Sequence, residues 1–228
     1  MRAFFTIITL TLMLFTLIIV MTKPEIFIVD TPIKFTQKRI NLMKDYAQQH
    51  YGLSLNNIII DPKIIVIHWS ELNNLKKTFD IFNPETIPNN WGKVTANGQA
   101  NVSVHFLVDR NGHIYRLMPE TQMARHVIGL NYTAIGIENI GGEPIDGKAQ
   151  ANLTAAQLNA NIQLVRYLKE KYEKINYLIG HYEYQRFEKH PLWLEKNPAY
   201  RTQKDDPNPE FIAQIYAATK SLSLLRAP

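Results

Sequence analysis

Two apolar runs in this sequence each end on a histidine. "IIVIH" closes on His68 and "YLIGH" closes on His181. The ends of buried strands, where the chain opens into loops, are where sites are usually built. A third group stands in "TQKDDPNPEF", where Asp206 precedes Pro207. Proline fixes its own φ and holds its predecessor in extended geometry, so Asp206 is immobilised. Such an aspartate serves either as a turn and helix cap or as a ligand held in place. Two histidines and one carboxylate make a Zn²⁺ ligand set with one position left for water. Hydrolysis at such a centre also needs a base for the water's proton and a cation for the oxyanion.

Glu138 and Lys204 are the candidates for those two tasks. Glu138 interrupts the apolar run "AIGIENI". Facing the interior, its carboxylate is costly unless it serves something; facing solvent, it is an ordinary edge residue. Lys204 lies two residues before Asp206, and in an extended segment positions i and i+2 point the same way. Its ammonium would then sit close to whatever Asp206 binds. Of the remaining histidines, His190 is a competing ligand candidate, although it precedes Pro191 with no strand context. His105 and His113 flank a predicted hairpin turn, with His105 expected to support the site. His50 is given no function.

The elements that must position these groups follow from periodicity. "TQKRINLMKDYAQQHYG" has apolar residues at Ile40, Met43, Tyr46 and Ala47 and then Gly52, which predicts an amphipathic helix. "KIIVIHW" predicts a buried strand, and "ELNNLKKTFDIF" a helix with Leu72, Leu75 and Phe79 on one side. Residues 83–101 read as loop. "VSVHFLVD", "RNG" and "HIYRLM" predict a hairpin turning at Asn111-Gly112. "AIGIENI" and "INYLIGH" predict two more strands. "LTAAQLNANIQLVRYLKEKYEK" predicts the clearest helix, opened by a Thr154/Gln157 capping box. Residues 182–209 read as a long irregular segment, followed by a short helix from Glu210. Strands interleaved with helices, including one hairpin, give an α/β domain with a central mixed sheet.

Composition bounds the rest. The chain has 228 residues, 46% of them hydrophobic and 20% charged, which suits one globular domain. The net charge of +5 is spread rather than blocked, and no nucleic-acid motif accompanies it. There are no cysteines, so disulfides and thiolate metal sites are excluded. Ala3 to Met21 is a run of 19 residues without a charge, between Arg2 and Lys23-Pro24. That length nearly spans a bilayer's hydrocarbon core. It reads as a hydrophobic helix, either a long signal peptide or a membrane anchor, with no small-x-small cleavage site after it. The expected division is a signal or anchor over 1–23, a linker over 24–35 and a domain over 36–228, with the body exported to a periplasmic or cell-envelope location.

Five pieces in order, "IIVIHW", "VSVHFLVDRNGHIYRLMPE", "ARHVIGLNYTAIGIENIGG", "LIGHYE" and "KDDPNPEF", resemble the zinc-dependent N-acetylmuramoyl-L-alanine amidases of the type 2 class. That fold is shared with peptidoglycan-recognition proteins, and the resemblance covers roughly residues 60–215. It implies His68, His181 and Asp206 as zinc ligands, Glu138 as catalytic base and Lys204 as oxyanion stabiliser. It implies His126 either as a support behind a ligand or as a substrate contact, implies Asn131 at the substrate groove, and places His105 in a "VS-x-H" match. The implied reaction is hydrolysis of the amide between N-acetylmuramic acid and L-alanine in peptidoglycan. The alternatives are a binding module without turnover and a same-fold amidase acting on soluble muropeptides. This sequence departs from the family pattern in three places. "YEYQRFEKHPLWLEKNPAYRTQK" separates His181 from Asp206, Asn208 stands where glycine is usual, and "ARHVIG" replaces a Trp-His-Ala-Gly segment.

Overall fold

β-Branched residues buried on both faces form the middle of the molecule. In the computed structural model, which describes residues 26–142 and 153–228, every residue of strand β2 (Ile64–Trp69) is buried. A parallel strand with no polar alternation belongs inside a sheet covered on both sides. β2 lies between β5 (Ala134–Asn139) and β6 (Tyr177–Gly180) and is parallel to both. β3 (Phe106–Val108) pairs in parallel with β5 and in antiparallel with β4 (Ile114–Arg116) across the predicted hairpin. β1 (Ile28–Asp30) adds to β4, completing a six-stranded mixed sheet in the order β1-β4-β3-β5-β2-β6.

Helices α1 (Gln37–Tyr51), α4 (Ala155–Lys171) and α5 (Pro209–Ala218) bury their apolar stripes in the main core with the strands. Met43, Tyr46 and Ala47 come from α1, Leu164, Val165 and Leu168 from α4, and Ile212 and Ile215 from α5. Their ends follow from local chemistry. Thr36 accepts the Lys38 N–H to start α1, and Gly52, at φ 69°, ends it in the left-handed region. Thr154 and Gln157 form the expected reciprocal capping box on α4. A second, smaller apolar cluster gathers Ile33, Phe82, Val104, Leu107, Ala124 and Ile140. Because side chains alternate along β3, Phe106 and Val108 join the main core while Leu107 joins this cluster.

Several boundaries differ from those expected. The 24–35 stretch is not a linker throughout. Residues 28–30 are the edge strand, Asp30 accepts from Arg116 Nε and Nη2 at 2.6 and 3.0 Å, and Ile33 is buried. α2 (Leu75–Phe82) starts at an Asn74 cap, so Leu72 falls outside it and instead bridges to Gly141. The 83–101 loop contains one short helical turn, α3 (Lys93–Ala96). The irregular segment opens with a 3-10 stretch over His181–Lys189, where burial of Tyr184 and Phe187 orders the chain. The hydrophobic helix expected over Ala3–Met21 lies outside the described residues. Among the described residues no helix is long and apolar enough to cross a membrane.

The capping box predicts a measurable loss. Thr154→Ala should lower the unfolding free energy by about 1 kcal/mol, read as a lower urea midpoint with an unchanged m value. An unchanged midpoint would mean that α4 does not depend on its cap.

Candidate active site

Strand register assembles the site. His68 on β2 is the register partner of Glu138 on β5, so the two side chains leave the same face of the sheet side by side. On the other flank Ile67 pairs with Gly180, which brings His181 level with His68 just beyond the end of β6. Three functional groups therefore stand at the carboxyl ends of three adjacent parallel strands, where α/β sheets characteristically open to ligands. Asp206 arrives from the segment before α5. Its carbonyl accepts the Tyr182 N–H at 3.1 Å, which ties that segment to the residue after His181.

The donor atoms converge tightly. His68 Nδ1 lies 3.0 Å from His181 Nδ1 and 3.2 Å from Asp206 Oδ2, and His181 Nδ1 lies 3.1 Å from the same oxygen. Around an ion bound at about 2.0–2.1 Å, tetrahedral ligand atoms sit roughly 3.3 Å apart. The three atoms match that spacing to within a few tenths of an ångström, all three residues are buried, and two imidazoles with a carboxylate suit zinc. Burial lowers the pKa of His181 to about 4, against the opposing pull of Asp206, so the ring is neutral at physiological pH. Burial raises the Asp206 carboxyl, but the charges and hydrogen bonds of His181 and His68 outweigh it and hold the group well below the usual carboxylate range. Neutral imidazole and ionised carboxylate are the forms that bind metal.

Behind His68 lies a supporting residue. His68 Nε2 is 3.0 Å from His126 Nδ1, and His126 Nε2 is 3.3 Å from the Ala134 carbonyl. With Nδ1 kept free for the ligand set, His68 Nε2–H donates to His126 Nδ1 and His126 Nε2–H donates to the carbonyl, which fixes both tautomers. His126 packs over β5 only because residue 136 is glycine: a Cβ there would lie 2.8 Å from His126 Nδ1. His105 completes the layer as expected. Its Nδ1 accepts the Gly136 N–H at 3.0 Å, its Nε2–H donates to the Gln122 carbonyl at 2.9 Å, and burial lowers its pKa to about 4. The one signal for this arrangement was glycine in a run otherwise free to be β-branched.

Asn131, expected at the groove, is only 1% exposed. Its Oδ1 accepts the N–H groups of His126 and Val127, both at 2.8 Å, so it holds the segment that carries His126, and it also lines a smaller recess beside the main cavity. His126 itself lines the cavity as well as supporting His68.

Glu138 faces the interior at 7% exposure, not the solvent. Burial, then the neighbouring Asp206, pushes its carboxyl well above the usual range, with Lys204 pulling the other way. Lys204 is half-buried and shares with Glu138, Asp206 and both ligand-set histidines a cavity of about 320 Å³. Trp69, Phe82 and Trp91 give that cavity apolar walls. Glu71 sits among its lining residues with φ at 55°, a strained backbone for a residue with a side chain. In the aspartate doublet, Asp205 is exposed and Asp206 buried, as the Lys-x-Asp register requires.

The other histidines have separate work. His190 accepts the Leu192 N–H and meets the Tyr177 hydroxyl at 3.1 Å, apart from the ligand set. His113 is exposed beside Asp109. His50 is fully buried, with Nδ1 at 2.9 Å from Glu195 and Nε2 at 3.0 Å from the Asn97 carbonyl. It joins α1 to the inserted segment and to the 91–100 loop. Asn197 adds a bond to the Asn97 side chain at 2.8 Å.

Fold and site together define a mixed-sheet α/β domain with a buried His-His-Asp set at its strand ends. Residues 41–209 match the Amidase_2 model, described as N-acetylmuramoyl-L-alanine amidase, and the chain belongs to that family. The matched range contains His68, His126, Glu138, His181, Lys204 and Asp206. The endolysin of Escherichia phage T7 is 34% identical over 76 residues, covering 33% of this chain and 50% of that protein. The endolysin of Klebsiella phage KP32 is 33% identical over 75 residues, with the same coverage. The chain spans about half the length of the curated relatives it matches. Among solved structures, the amidase LysC from Clostridium intestinale URNW superposes with a TM-score of 0.50 at 22% identity, over 87% of this chain and 99% of that one. AmpD gives 0.50 at 22% identity, over 83% and 93%. At that identity the likeness is one of fold.

The neutral histidines predict a pH dependence. An unfolded chain binds protons on His105 and His181 below about 6.5, while the folded chain resists until about 4. The metal-free protein should therefore lose stability as pH falls through that window and regain it as pH rises. Urea midpoints measured across pH 4–7 check this, and a flat profile would contradict it.

Proposed function

We propose that the chain is a zinc-dependent N-acetylmuramoyl-L-alanine amidase, cleaving the amide between the lactyl group of N-acetylmuramic acid and L-alanine in peptidoglycan. The observation that carries this reading is the placement of Glu138, a buried carboxylate on the strand beside His68 with its pKa pushed upward. Binding alone gives no reason to keep a buried carboxylate on the cavity wall, whereas proton transfer does. His68, His181 and Asp206 would hold the zinc ion. Zinc in such a site supplies Lewis acidity and a nucleophile at neutral pH.

The chain's own groups then account for the proton and the charge. Glu138 takes the proton of the attacking water as its oxygen bonds to the carbonyl carbon. Lys204 offers its ammonium to the oxygen on which negative charge develops. Glu138 returns the proton to the alanine nitrogen as the C–N bond breaks, giving a free amine and a muramic carboxylate. His126 keeps the His68 ring and its tautomer fixed throughout. Trp69, Phe82 and Trp91 exclude water from the cavity and strengthen the electrostatics inside it. The apolar run Ala3–Met21 supports an exported enzyme, in the periplasm or cell envelope, with residues 1–23 as signal or anchor and a catalytic domain that includes the edge strand. Peptidoglycan or muropeptides are then the partners.

Two experiments test this. Purified peptidoglycan incubated with the wild type should release free stem peptide, and Glu138→Ala should release none while zinc content by atomic absorption stays the same. Muropeptides bound but uncut by the wild type would favour a binding module, and loss of zinc in the variant would make Glu138 a ligand. His126→Ala should weaken zinc about 10- to 100-fold in a chelator competition, because His68 loses the partner of its other nitrogen. Unchanged affinity would show that His126 does not hold the ligand.

A further inference from the structure

The part of the cavity wall that carries Trp91 and Val94 is a short turn around α3 with little support of its own. A helix of four residues does not hold itself, because its nucleation costs more than a single turn returns. Packing does not hold it either. None of its residues is buried, and Gly92 at its start supplies no side-chain cap. A guanidinium from another part of the chain anchors it instead.

Arg125, from the segment that leads into His126, is 2% exposed. Its Nη2 donates to the carbonyls of Val94 and Asn97 at 2.6 and 3.0 Å, groups left open where α3 ends. Nη1 donates to the carbonyls of Gly98 and Ala100 at 3.0 and 2.6 Å. One planar fork thus fixes the relative positions of four carbonyls, which the point charge of a lysine does not do. Nη2 also meets the Tyr200 hydroxyl of the inserted segment at 3.1 Å, and the Tyr46 ring lies 4.8 Å from the guanidinium carbon. The remaining donor, Nε, has neither a partner nor accessible surface, so no N–H of the group is left for a ligand. The Arg125 carbonyl accepts the Ser103 N–H at 3.0 Å, and the next residue, His126, is held by Asn131. One stretch of backbone therefore carries both the anchor of the wall and the support of His68. Arg125 also stands in "ARHVIG", where the sequence departs from the family pattern.

We infer that Arg125 is a positioning residue for the amidase reaction: it sets the wall bearing Trp91 and Val94 at its distance from the His-His-Asp set, and with it the fit of the substrate. The inference rests on the amidase reading and deepens it. An apolar wall that touches no reacting atom binds ground state and transition state alike, so its loss acts on KM more than on kcat. Trp69 and Phe82 lie on other elements and still exclude water when the turn is displaced.

The test uses the zinc-loaded full chain and N-acetylmuramoyl-L-alanyl-γ-D-glutamate. Arg125→Ala should raise KM about tenfold and keep kcat within about threefold of the wild type, with zinc content unchanged. Arg125→Lys keeps the charge, reaches fewer carbonyls and should fall between the two. Trp91→Ala should raise KM to a similar extent, and adding Arg125→Ala to it should change little more, because both act through one wall. Amide exchange read by mass spectrometry should quicken about tenfold over residues 91–100 in Arg125→Ala and stay as in the wild type in β2 and β5. An unchanged KM, or an effect that adds in full to that of Trp91→Ala, would overturn the role. Exchange that rises throughout the chain, or failure of both Arg125 variants to fold, would overturn it too, since either makes Arg125 a support of the whole fold. If the wild type cleaves nothing, the amidase reading fails, and the exchange pattern, which needs no substrate, decides the hold of Arg125 on the wall separately.

Discussion

The parallel register of β2 between β5 and β6 is the constraint on which the rest depends. It sets His68 beside Glu138 and brings His181 level with His68, so a histidine pair and a carboxylate become neighbours without any loop having to place them. A slip of one residue in either pairing would send one of these side chains to the opposite face, into the main apolar core. The buried Ile64–Ile67 run makes such a slip costly, because each of these residues already packs in that core. Apolar pairing deep in the sheet thus fixes the geometry of polar groups at its end.

Around this frame the site is built in layers. The strand-borne groups come first. His126 and His105 come next, held by Ala134 and Gly136 on β5 and by Gln122. Asp206 and Lys204 come last, on a segment tied to Tyr182 by one backbone bond. The burial that keeps His181 neutral also pushes the Glu138 carboxyl upward. One low-dielectric environment therefore acts on both groups at once, in opposite directions on the acid scale.

Much of this was legible in the sequence, for identifiable reasons. Strands ending in His68 and His181, the α4 capping box and the Asn111-Gly112 turn all rest on local rules, and they appear where those rules put them. Asp206 was marked out by the proline that follows it and by its place in the family's pattern. Whether Glu138 faced in or out did not follow, because a single charged residue in an apolar run is compatible with either face until its neighbours are known. Asn131 and His126 were placed at the groove by analogy, yet their hydrogen bonds depend on contacts that periodicity does not encode. The edge strand at Ile28–Asp30 was missed because three residues between prolines carry too little pattern, and Arg116 lies 86 positions away from the aspartate it clamps.

The inserted segment between the second histidine and Asp206 looks, by its position, like an ornament on the groove. His50 and Glu195 say otherwise. Both side chains are wholly buried, and the imidazole is engaged at each nitrogen, by Glu195 on the insertion and by Asn97 on the opposite wall. Cutting the insertion out would strand a polar ring at the end of α1 and loosen both rims of the groove together. In engineering terms the segment is a keystone: it can be decorated on its outer surface, but it cannot be shortened or transplanted without carrying α1 and the 91–100 loop along with it.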